Sequence, residues 1–360
     1  MIENNGLKID DLKASIPIIQ GGMGIGISGA NLAAAVAQEG AIGVISSVGL
    51  GLFCKDSSVG YRTANQEMLK KEIRRAKEMT KGILGVNIMA VVSDFEDLVK
   101  IAVNEKVDLI IVGGGLPLKN PLKNFGKVKT KILLKVSSAR AASLLFKYWD
   151  KNYNTVPDGV VVEGPLAGGH LGFKPETLND PQNKLECLVP EVIQAVIPFR
   201  NKFKKDIPVI AAGGIYTGAD MCKFIKMGAS AVKMATRFVA TYECDASEEF
   251  KKTYINCTKE DIGIIKSPVG LPGRAILNDF TREIAAGHKK PFNCLWKCLK
   301  TCDYKISPYC ISMALVNARN GNLKDGFAFA GANAYLVDKI VSVKELIQSI
   351  MQEYNVACAI

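Results

Sequence analysis

Two histidines occur in 360 residues, and they stand in unlike settings. His170 lies in Ala167-Gly168-Gly169-His170-Leu171-Gly172, directly after the apolar run 159–162, where an imidazole can take or give a proton near neutral pH. His288, in Ala286-Gly287-His288-Lys289-Lys290, reads as exposed surface. A second chemistry is signalled by Gly213-Gly214 after the apolar run 209–212 and by Ala235-Thr236 after the run 231–234. Backbone N–H groups without side chains around them can approach an anion closely, and the Thr236 hydroxyl can add a hydrogen bond, so a phosphate-bearing ligand is expected. A third group comprises Gly22, Met23, Gly24, Asn87 and Lys135: the first three suit the face of a flat ring, and the last two its polar edge. No glycine run has dinucleotide spacing, because Gly22-Met23-Gly24-Ile25-Gly26 lacks both the required interval and the acidic residue about 20 positions on. A mononucleotide fits better.

These residues need a frame that gathers strand ends, and the sequence supplies one. Eight short apolar runs, 16–19, 42–45, 84–88, 109–112, 132–136, 159–162, 209–212 and 231–234, are nearly continuous in hydrophobic character, as strands buried on both faces require. Amphipathic stretches at 31–38, 67–79, 95–104, 139–149, 191–199 and 219–227 alternate with them. Ser93 or Asp94, Ser137 or Ser138, and Thr217 are placed to cap three of these helices. The expected fold is an α/β (β/α)8 TIM barrel, whose active site lies at the C-terminal ends of its strands. Residues 241–321 lose this rhythm and read as a smaller lid domain inserted after strand eight; 1–240, completed by 322–360, forms the barrel.

Composition sets the outer bounds. With 48% hydrophobic and 22% charged residues, the chain can bury a core. The net charge of +11 is dispersed; Lys70-Lys71 and Arg74-Arg75 read as a solvated helix face, and no nucleic-acid module accompanies them. The uncharged stretch 14–38 carries Pro17, Gln20, Asn31 and several glycines, which suits strand, loop and helix rather than a membrane span. No targeting segment is visible in the first fifteen residues, so a cytoplasmic location is expected, and there a disulfide framework is not. Oligomerisation is left open. Four of the ten cysteines, Cys294, Cys298, Cys302 and Cys310, fall within 17 residues. On a helix the first three would share a face, which makes them candidates for zinc or an iron–sulfur cluster, yet C-x2-C spacings are absent and structural thiols are the expectation, with no metal.

The segments IPIIQGGMG, GVNIM, VVEGPLAGGHLGF, IPVIAAGGI and VKMATRFVAT, in that order, resemble the nitronate monooxygenase family and its relative, the flavin-dependent enoyl-acyl carrier protein reductase II. The resemblance spans about 14 to 280. It implies an FMN-binding barrel in which His170 is the acid/base residue, with Gly169 beside it at the cofactor. Gly22, Met23, Gly24, Asn87 and Lys135 would line the flavin, and Gly213, Gly214, Ala235 and Thr236 would hold its phosphate. It also implies a small-molecule substrate: a nitronate oxidised with dioxygen, or alternatively an enoyl thioester reduced with NAD(P)H, with acyl carrier protein as partner. Relatives read MGTRF where this chain has Met234-Ala235-Thr236-Arg237-Phe238, so the Ala235 methyl is expected to crowd the phosphate. A non-flavin barrel acting on a sugar or indole phosphate would use the same phosphate loops.

Overall fold

A computed structural model describes residues 6–54, 58–294 and 296–359. All eight apolar runs are strands. In chain order, β1 (Leu7–Ile9) and β2 (Leu12–Ala14) form an antiparallel hairpin, followed by β3 (Ile18–Gln20), β4 (Gly43–Ser46), β5 (Leu84–Met89), β6 (Leu109–Gly113), β7 (Lys131–Val136) and β8 (Gly159–Glu163). After the two-residue β9 (Gly169–His170), β10 (Val209–Ala212) and β11 (Ala231–Met234) complete the set. The sheet runs β3-β11-β10-β8-β7-β6-β5-β4, all parallel. Its two ends meet: Ile19 bridges Ile42, and Gln20 N–H donates to the Ile42 carbonyl at 2.9 Å. The Gln20 side chain, fully buried, adds an acceptor for Val44 N–H at 2.9 Å. The barrel is therefore closed, as expected.

Helices α1 (Ala30–Gln38), α2 (Tyr61–Met79), α3 (Phe95–Asn104), α4 (Ala139–Tyr153), α5 (Leu185–Phe203) and α6 (Gly218–Lys226) cover the outside, each over the predicted stretch but several of them longer. Ser138 Oγ accepts from Ala141 N–H, and Thr217 forms a reciprocal cap with Asp220, worth about 1 kcal/mol each. Asp94 makes no cap at α3; its carboxylate instead accepts from Asn65 Nδ2 at 2.7 Å. The Arg74 and Arg75 charges are paired with Glu105 and Glu72, in keeping with a solvated face. No helix among the described residues is long and apolar enough to cross a membrane. The uncharged stretch resolves into β3, a loop and α1.

Two features were not foreseen. The β1–β2 hairpin plugs the barrel bottom, where Leu7, Ile9 and Ala14 pack against Ile19, Ile42 and Leu109. A disulfide joins Cys222 on α6 to Cys358 on α11 (Val343–Ala359), correcting the expectation of none. The two are 136 residues apart, and meet because α11 returns to lie on α6.

Past α7 (Thr236–Val239), the chain forms α8 (Glu248–Asn256), the hairpin β12 (Ile262–Lys266) and β13 (Pro272–Ile276), α9 (Asp279–Ala285) and α10 (Ile311–Arg319). Phe280, Tyr309 and Phe327 give this region an aromatic cluster of its own. The cysteines do not share a helix face: Lys297 has φ 45°, in the left-handed region, and no helix lies between α9 and α10 among the described residues. Cys298 Sγ instead contacts Ser312 Oγ at 3.3 Å and Cys302 Sγ contacts Ser307 Oγ at 3.8 Å, while Cys294 Sγ accepts from Lys297 N–H and Cys310 precedes α10. Among the described residues no group of three or more His, Cys, Asp or Glu side chains is arranged for a metal.

Candidate active site

Successive side chains of a strand alternate between the barrel interior and the helix layer. Leu133, Val161 and Ala231 pack in the interior cluster, so Lys135, Glu163 and Lys233, two residues further along β7, β8 and β11, face the same interior nearer the C-terminal mouth. Asn87 joins them from β5, whose Val86 and Ile88 pack outward. Small residues make room for these groups. A Cβ on Gly22 would lie 2.5 Å from Asn87 Cβ, and one on Gly113 would lie 2.8 Å from Lys135 Cε. Lys135 Nζ sits 2.8 Å from both carboxylate oxygens of Glu163, an ion pair only 24% and 11% exposed.

His170 reaches the mouth from outside the barrel sheet. In β9 it pairs with Gly273 of β13, and Leu171 N–H donates to the Pro272 carbonyl, so the histidine is the third strand of the hairpin sheet. Its Nε2 lies 2.7 Å from Oγ of buried Ser267 at the hairpin turn. The ring meets Phe329 edge to face at 5.0 Å, and Tyr254 Oη donates to the Phe329 carbonyl. Burial, then the Lys135 ammonium, lowers its pKa to about 4, so the imidazole is neutral at physiological pH. Gly169 before it has φ 77° and open space where a side chain would be. His288 is exposed, as expected.

At the ends of β10 and β11 the backbone forms a cradle. Gly213 and Gly214 have φ 92° and 86°, and their N–H groups donate to no acceptor among the described residues. Asn333 Nδ2 holds the Gly214 carbonyl at 2.8 Å. A Cβ on Gly331 would come within 2.8 Å of Thr236 Oγ1, so that glycine leaves the hydroxyl room. The Ala235 methyl packs toward the β3 loop. It lies beside Gly21, where an added Cβ would be 2.8 Å away. Orphaned donors beside small residues are the fit a terminal phosphate requires. Met23, its N–H bonded to Ser28 Oγ at 2.8 Å, and Gly24 belong to the β3 loop next to Asn87.

The structure thus brings the predicted residues together at one mouth, apart from the cysteines. It adds three that sequence reasoning missed. Ser267 gives no local signal, since it meets His170 across 97 residues. Arg274 on β13 donates through Nη2 to the Pro165 carbonyl at 2.9 Å, while its Nε is buried without a partner; burial lowers its pKa. Lys233 had a readable signal: it is the charged member of an otherwise apolar strand, in phase with inward-facing Ala231. Two shallow surface depressions, one over α2 between Glu67 and Glu78 and one between Lys289 and Ser307, lie away from these residues.

A family model described as nitronate monooxygenase matches residues 5–100 and 92–353. A (3aS,4S,5R,7aS)-5-hydroxy-7a-methyl-1-oxo-octahydro-1H-indene-4-carboxyl-CoA dehydrogenase of Rhodococcus jostii is 29% identical over 268 residues, which is 74% of this chain and 64% of that protein, so the match spans less than two thirds of that relative's length. A probable nitronate monooxygenase of Staphylococcus aureus is 26% identical over 314 residues, 76% of this chain and 79% of that protein. Among solved structures, FabK from Thermotoga maritima has a TM-score of 0.72 at 28% identity, covering 95% of this chain and 94% of that one.

Proposed function

The chain belongs to the nitronate monooxygenase family and is an oxidoreductase, and from that premise we propose that it binds FMN and oxidises alkyl nitronates with molecular oxygen, using His170 as its proton-handling residue. One observation carries the reading: a neutral imidazole stands at the mouth of a barrel whose inner wall is cationic and whose rim offers unpaired N–H donors. Gly213, Gly214, Ala235 and Thr236 would hold the phosphate, while Gly22, Met23, Gly24, Asn87, Lys135 and Gly169 would face the ring. FMN, when bound, supplies the electron acceptor and the reactivity toward oxygen.

The remaining steps belong to the chain's own groups. The His170 lone pair takes the proton from the carbon α to the nitro group when a neutral nitroalkane binds, and Ser267 Oγ, at 2.7 Å from Nε2, fixes the ring. A pKa near 4 makes His170 a weak base, so it serves best where the anion it creates is held by neighbouring cations or where the substrate arrives already ionised. Residues 241–321 act as a lid over the barrel of 1–240 and 322–360, and their β12–β13 hairpin excludes water from the imidazole.

A second reading, NAD(P)H-dependent reduction of an enoyl thioester, is favoured by the CoA thioester in the name of the R. jostii dehydrogenase. The net charge of +11 would speed encounter with an acidic acyl carrier protein. Absorbance near about 450 nm tests for flavin. Oxygen uptake with a nitronate and no NADH supports the first reading; NADH consumption with crotonyl thioester, and none with nitronate, replaces it with the second.

A further inference from the structure

The charges inside the barrel do not balance. Lys135 gives its ammonium to both oxygens of Glu163, whereas Lys233 makes no hydrogen bond or ion pair with any described residue. Its inward direction follows from the strand: Ala231 belongs to the interior cluster, while Val232 and Met234 pack toward the helices. The charged groups that act on it are Lys135, which opposes its charge, and Glu163, which favours it; with burial as the largest cause, its pKa falls to about 8. Lys233 is half-buried, and with Lys135 it sets two ammonium groups against the single carboxylate of Glu163, a surplus positive charge partly withdrawn from water, which is costly without a partner. A methionine or leucine would fill that space at no such cost. The position makes sense when negative charge arrives from a ligand.

Where that charge would lie follows from the strand geometry. Lys233 stands two residues before Ala235, so at about 3.3 Å per residue it is about 7 Å deeper than the phosphate cradle. Lys135 is on β7, separated from β11 by β8 and β10. A flat ring held from the cradle toward Gly22, Asn87 and Lys135 would have both lysines on its side of the barrel. Resting on the FMN reading, we propose that Lys233 is a counter-ion, alongside Lys135, for the negative charge that the bound flavin ring gains on reduction. Lys233 is then a positioning and charge-balancing residue for the cofactor, and the β11 strand contacts the same ligand twice, through the Ala235-Thr236 backbone and through this ammonium.

The test compares the parent holoenzyme with Lys233→Met, Lys233→Gln and Lys233→Arg, reading FMN content, the midpoint potential of the bound flavin, and KM against kcat with a nitronate. The methionine variant should retain oxidised FMN as the parent does but hold the reduced form about tenfold less tightly or worse, which lowers a two-electron potential by about 30 mV for each tenfold. Arginine should restore the parent value, and glutamine, the variant to use should methionine impair folding, should behave as methionine does. An unchanged potential overturns the proposal; if KM alone rises, the ammonium serves the substrate, and if oxidised FMN is lost, it serves retention. A parent protein without FMN is a separate failure, that of the functional reading itself, and it takes this inference with it.

Discussion

Replacing His170 by asparagine should change how stability depends on pH, by an amount that follows from the site. In the folded chain the imidazole pKa falls from 6.5 to about 4, through burial first and the Lys135 ammonium second. Between those two values the unfolded chain binds a proton that the folded chain refuses. The stabilisation is therefore complete above the unfolded value and is lost as the pH falls from there toward the folded one. Linkage with these values gives a loss of about 2 kcal/mol by about pH 5, and about 3 kcal/mol by about pH 4. Urea unfolding of the parent and the His170→Asn variant between about pH 7 and pH 4, at matched flavin content, isolates this effect because the shared carboxylates cancel in the difference. The parent should lose about 2 kcal/mol more than the variant between about pH 7 and pH 5. Parallel profiles would refute the claim that the imidazole is held neutral by its surroundings.

The same variant should keep its flavin yet turn over about a hundredfold more slowly, measured as oxygen uptake with a saturating neutral nitroalkane, whose α proton has to be removed; undiminished turnover rejects His170 as the proton acceptor. Gly214→Val places a β-branched side chain at φ 86° with its Cβ 2.9 Å from Leu166 Cβ. Strain of about 2 kcal/mol at that cradle should weaken FMN retention about thirtyfold, read from the fluorescence of released flavin, while retention at the parent level would move the phosphate elsewhere. Cys222→Ser removes a cross-link closing a span of 136 residues and should cost about 2 to 5 kcal/mol under oxidising conditions. Parent and variant should then melt together in excess dithiothreitol, and a difference that survives reduction would assign the effect to packing of α6 rather than to the bond.

The barrel was legible because each of its strands is buried on both faces and so is written as an unbroken apolar run. Phase within a strand was legible too, since Lys233 is in phase with Ala231, but Lys135 was read from its place on the run 132–136 and Lys233 was overlooked. The glycines announced the cradle because few other residues sit at φ near 90° or leave backbone donors open. Contacts spanning long intervals left no trace: Ser267 with His170, Cys222 with Cys358, and Leu7 and Ile9 beneath the barrel are decided by how helices and hairpins return. The cysteine segment was not legible because an i, i+4, i+8 spacing shares a face only if the chain is helical, no helical hydrophobic period supports that, and Lys297 breaks the backbone in its middle.

His170 is hydrogen-bonded edge to edge with β13, and its ring is tied to Ser267 at the tip of the same hairpin. Under the proposed function, proton acceptor and lid hairpin would be a single structural unit. Were that hairpin to swing away to admit a bulky guest, the imidazole would travel with it or lose its anchor, so entry and proton transfer fall into separate moments of the catalytic cycle. Reactive chemistry would then be switched on only after the mouth has shut.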